Sequence, residues 1–238
     1  MSTYSCDLHI HSTLSPCGSL EMSPNNIIAK AKEVGLHLIS VTDHNMVENS
    51  LPTYTIGKKF GITVLFGMEV QTSEEIHLLA FFDNYDLAHT FQNKIYNLLP
   101  DIQNDAEYFG DQVVVDEENE IIRFETRLLL NSAQISITDA TKWIKDHGGL
   151  AIPSHIDSPT FSIISQLGYI PEDLPFDALE VRNKEKIIDL LPLIMKKDIP
   201  FVTFSDAHYL KDIGRRRISL DLKKPNCSEI ANALKQLL

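Results

Sequence analysis

No stretch of the 238 residues is apolar for long enough to span a bilayer as a helix, so an integral membrane protein of the helical kind is not expected. Cysteine is scarce. Cys6, Cys17 and Cys227 form an odd set without paired spacing, which argues against a disulfide framework and fits a reducing, cytoplasmic setting. Positive charge is short as well. The 21 Lys and Arg face 33 Asp and Glu, and a net charge of −12 repels polyanions at long range, which disfavours long nucleic acid as a partner. Low-complexity tracts, internal repeats and dividing linkers are missing, so residues 1–238 are expected to share one core. Met1-Ser2-Thr3-Tyr4 enters a strand-like segment with no basic region and apolar core before it, and no export signal is expected.

What the chain does have is alternation. Short apolar runs are followed by amphipathic stretches from end to end, the pattern of β-α units around a parallel sheet or barrel. Strands are predicted at 4–10, 38–42, 62–66, 76–82, 150–153, 178–181, 201–204 and 218–222. Helices are predicted from Pro24 to Gly35 with Ser23 as N-cap, and over 48–60, 86–99, 137–147, 184–197 and from Ser228. The rhythm breaks between Pro100 and Ser136. There Val113-Val114-Val115 and Ile121-Ile122-Arg123-Phe124 flank an acidic turn and read as an inserted β-hairpin, a lid or an oligomer contact.

Six of the nine histidines attach to these strands. His9 and His11 end the first, Asp43-His44 follows the second, Glu69 the third, His77 lies in the fourth, His155 follows the strand at 150–153, and Asp206 with His208 follows Phe204. In a parallel barrel the C-terminal strand ends share one face, so these side chains are expected to meet. Each motif alone is ambiguous. An isolated His-x-His is commonly a surface pair, a lone strand histidine a satisfied core residue, and Asp-His a capped turn. Their placement on the same end of successive strands is what points to a metal site, whereas His37, His89 and His147 beside helices are assigned no chemistry. Six histidines with Glu69 and Asp206 exceed one tetrahedral zinc site, so two or three divalent ions are implied, with Glu69 able to bridge. Such a cluster suits hydrolysis of a phosphate ester by metal-activated water.

On these residues the sequence resembles the PHP (polymerase and histidinol phosphatase) superfamily. Asp7-Leu8-His9-Ile10-His11-Ser12, Val41-Thr42-Asp43-His44, Gly67-Met68-Glu69-Val70 with Ile76-His77-Leu78, Pro153-Ser154-His155 and Ser205-Asp206-Ala207-His208 match its motifs in order. The resemblance implies a distorted barrel of about seven β-α units with a di- or trinuclear centre of zinc, iron or manganese. It implies that His9 and His11 hold one ion, Glu69 bridges, His77 and Asp206 join the cluster, and His44, His155 and His208 complete it. Glu69, Asp206 and His208 would stand closest to the catalytic step. Asp7 and Asp43 are expected to orient ligating imidazoles from behind. Where many members carry an acidic or histidine ligand just before a glycine, this chain has Cys17-Gly18, which makes Cys17 a further candidate ligand.

Basic residues near the cluster are the expected tethers for a phosphate, with Arg182, Arg215 and Arg216 best placed, and Arg123 and Arg127 qualifying only if the hairpin folds over the mouth. The expected substrate is a small phosphorylated molecule, a sugar, amino-alcohol or nucleotide phosphate. The alternatives are an amidohydrolase-type C–N hydrolase, a nuclease for short oligonucleotides, and a non-catalytic metal-binding regulatory module.

Overall fold

The computed structural model describes residues 1–196 and 198–238. A curled sheet of six strands runs in the order β10-β1-β2-β3-β4-β7, built from β1 (Ser2–Ile10), β2 (Leu38–Val41), β3 (Thr63–Gln71), β4 (His77–Phe82), β7 (Leu150–Pro153) and β10 (Ile218–Leu222). The inserted hairpin supplies β5 (Val113–Val115) and β6 (Ile121–Phe124), and β8 (Leu179–Glu180) pairs in parallel with β9 (Phe201–Val202). Sparse backbone bonds carry the ring onward. Asp177 N–H donates to Ala151 O and Ile156 N–H to Glu180 O, joining β7 to β8, while Ala207 bonds to His9 and His11 and joins the end of β9 to β1. The mixed α/β barrel therefore closes through β1, β2, β3, β4, β7, β8 and β9, with β10 paired to the outer part of β1.

Side-chain alternation sorts the barrel into an inside and an outside. Along β3, Leu65 packs inside with Leu38, Leu79, Phe81, Leu150 and Ile152, whereas Phe66, Met68 and Val70 pack against the helix Tyr85–Leu98 and its neighbours. Being buried on both faces, these strands read as continuous apolar runs. The register of β1 against β2 shifts between Asp7 and Ile10. Leu8 joins the barrel interior below that shift; above it Ile10 packs outside with Ile27 and Ile28 of the helix Pro24–Glu33. β10 and the helix Cys227–Leu234 plug the far end through Leu220, Leu222, Ile230 and Leu234. The apolar floor is thus at one end and the polar motifs are at the other.

Three sequence expectations need correction. The sheet is mixed, because β4 runs antiparallel to both β3 and β7, and β10 antiparallel to β1. Only residues 72–76 join β3 to β4, too few for a crossover, so they form a hairpin. His77 therefore reaches the shared rim from the start of its strand. The third strand also runs on to Gln71, which places Glu69 inside it rather than after it. The helix expected over 184–197 is a broken series of short turns, Lys184–Lys186, Ile187–Leu190 and Leu191–Leu193, with Pro192 denying the backbone N–H that a continuous helix would need; Lys197 lies outside the described residues.

Gly67 faces the interior of the barrel, where a methyl group would collide with Ser40 Oγ and lie 2.9 Å from Thr42 Cγ2 and 3.0 Å from Phe81 Cδ1. Gly67→Ala is expected to lower unfolding stability by about 1–3 kcal/mol through overpacking, measured by urea denaturation; an unchanged midpoint would show that the strands can part without cost.

Candidate metal centre

Glu69 sits at the rim, buried, and is ringed by imidazoles. Its Oε1 lies 3.3 Å from His9 Nε2, 3.2 Å from His77 Nδ1 and 3.4 Å from His155 Nε2; its Oε2 lies 3.3 Å from His44 Nδ1 and 3.5 Å from His11 Nε2. Asp206 Oδ1 is 3.5 Å from both His9 Nε2 and His11 Nε2 and 3.6 Å from His208 Nδ1. All eight side chains singled out in the sequence are brought together. His37, His89 and His147 are not among them: they contact Ser5 N–H, the Tyr85 ring and Trp143 respectively.

The contacts behind the imidazoles fix which nitrogen faces inward. His9 Nδ1 donates to the Glu180 carboxylate at 3.0 Å, and His208 Nδ1 donates to the Asp206 carbonyl at 3.0 Å. Ser15 Oγ donates its only proton to Asp43 Oδ1 at 2.7 Å, so it must accept from His11 Nδ1 at 2.9 Å. His77 Nε2 donates to Gln71 Oε1 at 3.1 Å. His9 Nε2, His11 Nε2 and His77 Nδ1 are left to face the carboxylates. A ligating imidazole is commonly held from its other nitrogen in this way.

Asp43 acts on His11 through Ser15 rather than directly, and it also accepts from Ser12 N–H at 2.7 Å and Ser12 Oγ at 2.6 Å. Asp7 touches no imidazole nitrogen; it accepts from Ser205 N–H at 2.9 Å and Gly214 N–H at 2.8 Å and so anchors the segment that carries Asp206 and His208. Glu180, Ser15 and Gln71 were not singled out from sequence. For Glu180 a signal existed, an acid inside the apolar run Ala178-Leu179-Glu180-Val181. It also accepts from His155 N–H at 2.9 Å, where the chain takes the unusual φ of +29°. Asp206 likewise has φ +51°. Backbone strain of this kind costs on the order of 1–3 kcal/mol per residue and persists only where surrounding contacts enforce it.

Charge is arranged to match. Burial disfavours a charged His9, yet the carboxylates of Glu180, Glu69 and Asp206 outweigh it and hold the imidazole well above its ordinary range. Burial and the neighbouring His208 pull His11 down to about 4, and burial with His11 pulls His44 well below its usual value. Burial would raise Glu69, but His77 and His9 hold it far below the usual carboxylate range. The three carboxylates thus favour a proton on His9 when no cation is bound.

The residues fit a cluster of divalent ions. Glu69 Oε1 and the inward-facing His44 Nδ1 and His77 Nδ1 are buried without a hydrogen-bond partner among the described residues, a costly state that coordination would relieve. Donor atoms gather within 4.8 Å of one another in three overlapping groups: His9, His11 and Asp206; His44, Glu69 and His77; and His11, Cys17, His44 and His208. Nitrogen and oxygen donors of this kind suit zinc, iron or manganese.

A cleft of about 310 Å³ opens above the cluster, walled by Leu130, Phe161, Thr160, Ser158 and Arg182. Arg182 Nη2 donates to Asp206 Oδ2 at 2.6 Å, and Arg215 borders the adjoining depression with Tyr209 and Cys17. Arg216 does not line the cleft. Its Nε and Nη2 donate to the carbonyls of Phe204 and Ser205 at 2.7 and 2.8 Å, behind the last motif. The hairpin is not folded over the mouth either. Thr13 and Asn49 clamp it at Val113 O, and Arg123 pairs with Glu48 and Glu125 while Arg127 reaches Tyr96 O.

The model of the PHP domain matches residues 7–149, more than half of the chain. The chain belongs to the PHP domain family. At that level it is a metal-dependent hydrolase. An uncharacterized protein of Methanocaldococcus jannaschii is 28% identical over 186 residues, 74% of this chain and 80% of that protein. The fold is similar to that of a lesion-specific endonuclease from Pyrococcus furiosus, with TM-score 0.71 and 20% identity over 100% of this chain. The chain spans 57% of that endonuclease. It is also similar to an amidohydrolase from Chromobacterium violaceum solved with bound sulfate, with TM-score 0.58 and 18% identity, covering 97% of this chain and 96% of that one.

Glu180→Gln keeps the size of the side chain but removes the charge behind His9. Metal affinity is expected to fall by about 10–100-fold with the fold intact, measured by competition with a chromogenic chelator; unchanged affinity would mean that Glu180 is only a strand residue. Because a cation replaces the proton on His9, metal uptake is also expected to release protons and to tighten as pH rises, read from the buffer dependence of the calorimetric heat.

Proposed function

We propose that the chain hydrolyses a phosphate ester of a small molecule, such as a sugar, amino-alcohol or nucleotide phosphate. The observation that carries this reading is the ring of imidazoles around Glu69 with an arginine at its edge. Divalent ions bound there would supply Lewis acidity and lower the pKa of a bound water. The protein's own groups do the positioning. Arg182 lines the cleft and is tethered by Nη2 to Asp206, which leaves its remaining N–H groups for phosphate oxygens, and its pKa is raised, burial notwithstanding, by Asp206. Arg215 stands further out, shared with Asp212, and would meet a second anionic group. Leu130 and the exposed Phe161 ring, stacked on His77, offer an apolar wall for the leaving group and exclude water from that side.

A nucleic-acid substrate is the second reading, favoured by likeness to the archaeal endonuclease. The net charge of −12 weighs against a long strand and leaves short oligonucleotides. An amide substrate would need no cationic fork.

The test is phosphate release across a panel of phosphomonoesters and diesters, run beside ammonia release from amides. Activity that is lost on chelation and returns with metal is expected on phosphoesters. Arg182→Ala is expected to raise KM by roughly 10–100-fold while kcat changes less, the mark of a group that binds ground and transition states alike. Turnover of amides alone, indifferent to Arg182, would overturn the phosphoesterase reading.

A further inference from the structure

Part of the cleft wall is a segment without regular structure, and one buried side chain holds it. Residues 129–133 form neither helix nor strand. Leu129 is buried in the apolar core, whereas the half-buried Leu130 lines the cleft. Asn45 is fully buried beside them. Its Nδ2 donates to Leu129 O at 2.8 Å and to Asn131 O at 2.9 Å, one carbonyl on each side of Leu130, and its Oδ1 accepts from Gln71 N–H at 3.0 Å. Both amide protons are therefore spent on this segment, and the inverted amide would set its oxygen against two carbonyls.

The backbone of Asn45 is fitted to that task. It takes φ +53°, a left-handed conformation that asparagine tolerates better than most side chains, and its N–H donates to Glu69 O at 2.9 Å. The other end of the segment is tied to the residue that orients His77. Gln71 Nε2 donates to Ser132 Oγ at 2.9 Å and Ala133 N–H to Gln71 O at 2.9 Å, while Gln71 Oε1 accepts from His77 Nε2. Asn45 and Gln71 thus hold the chain before and after Leu130 and are bonded to each other.

We propose, on the phosphoester reading of the cleft, that Asn45 is a positioning residue which fixes Leu130 as a wall, and that this wall selects leaving groups with an apolar or aromatic body over polyhydroxylated ones. Because the segment is already ordered by Asn45 and Gln71, an apolar body buried against Leu130 and Phe161 gains its contact without the cost of ordering a loop. A polyhydroxylated body would set hydroxyls against the same two side chains, which offer them no hydrogen bond.

The test uses three variants of the full chain. Asn45→Asp keeps the shape and the acceptor for Gln71 N–H but cannot donate to the two carbonyls; Asn45→Gly keeps the left-handed backbone and removes every side-chain bond; Leu130→Ala removes the wall itself. Amide exchange followed by NMR is expected to quicken about tenfold at Leu129 and Ala133 in both Asn45 variants, and at Gln71 in Asn45→Gly alone. For phenyl phosphate, KM is expected to rise about tenfold in all three variants with kcat less changed, while KM for glycerol phosphate stays within about twofold. Leu130→Ala should leave the exchange rates as they are. Unchanged exchange in both Asn45 variants, or an equal rise of KM for the two esters, would overturn the role of Asn45. So would loss of bound metal in both Asn45 variants, counted by elemental mass spectrometry, since it would make Asn45 a support of His44 instead. A wild type that hydrolyses no phosphoester, with exchange altered as expected, would overturn the phosphoester reading and the selection of leaving groups while the hold of Asn45 on the segment stands.

Discussion

A carboxylate buried among five imidazoles is the constraint on which this molecule depends. Glu69 is almost wholly removed from water, and an isolated buried anion is too costly to keep without positive charge beside it. With no cation part of that charge is a proton favoured on His9; with divalent ions it is coordination. Either way the rim must deliver six imidazoles to one spot within a few ångströms, and the barrel is what does so. Its floor is apolar, built from β1, β2, β3, β4, β7, β9 and β10, with each fully buried Leu, Ile or Phe contributing on the order of 1.5–3 kcal/mol, which offsets a rim made of polar and strained residues.

The same geometry explains the reversed strand. A tight hairpin from β3 to β4 places Gln71 opposite His77 in adjacent strands, so one short turn supplies both a ligand and the group that orients it. A crossover helix in its place would have brought the next strand up from the floor, with its ligand at the far end. Local chain reversal and site chemistry are therefore one feature. The register shift in β1 acts similarly: it lets Leu8 fill the interior while His9 and His11, two residues apart, both reach the rim.

Much of this was legible from sequence because it depends on periodicity and punctuation. Strand and helix positions, the hairpin at 113–124 and the eight converging side chains follow from apolar runs, Pro and Gly signals and the position of histidines at strand ends. Strand direction was not, since an apolar run buried on both faces looks the same in either sense. The five residues between β3 and β4 were the available clue. The support behind the ligands was hidden for a different reason. Glu180 meets His9 across 171 positions of sequence, and Ser15 and Gln71 are ordinary loop and strand residues until the fold brings an imidazole to them. Arg216 shows the converse: a basic residue next to a metal motif is drawn to backbone carbonyls behind it, whereas Arg182, from a separate strand, reaches the cleft.

Net charge and local charge also part company here. A chain at −12 repels phosphate at a distance, and Glu69, Asp206 and Glu180 make the unloaded cleft more negative still. Divalent ions would reverse that sign, because each brings twice the charge of a carboxylate, and Arg182 adds to the reversal. Recognition of an anion is then conditional on loading, so substrate affinity and metal affinity are coupled through one field. The acidity of the rest of the surface does not oppose this at short range. Over a Debye length of roughly 8 Å at physiological salt the exposed charges are screened, while the buried ones are not. The cleft answers to its own ions, and the acidic surface chiefly sets which larger polyanions stay away.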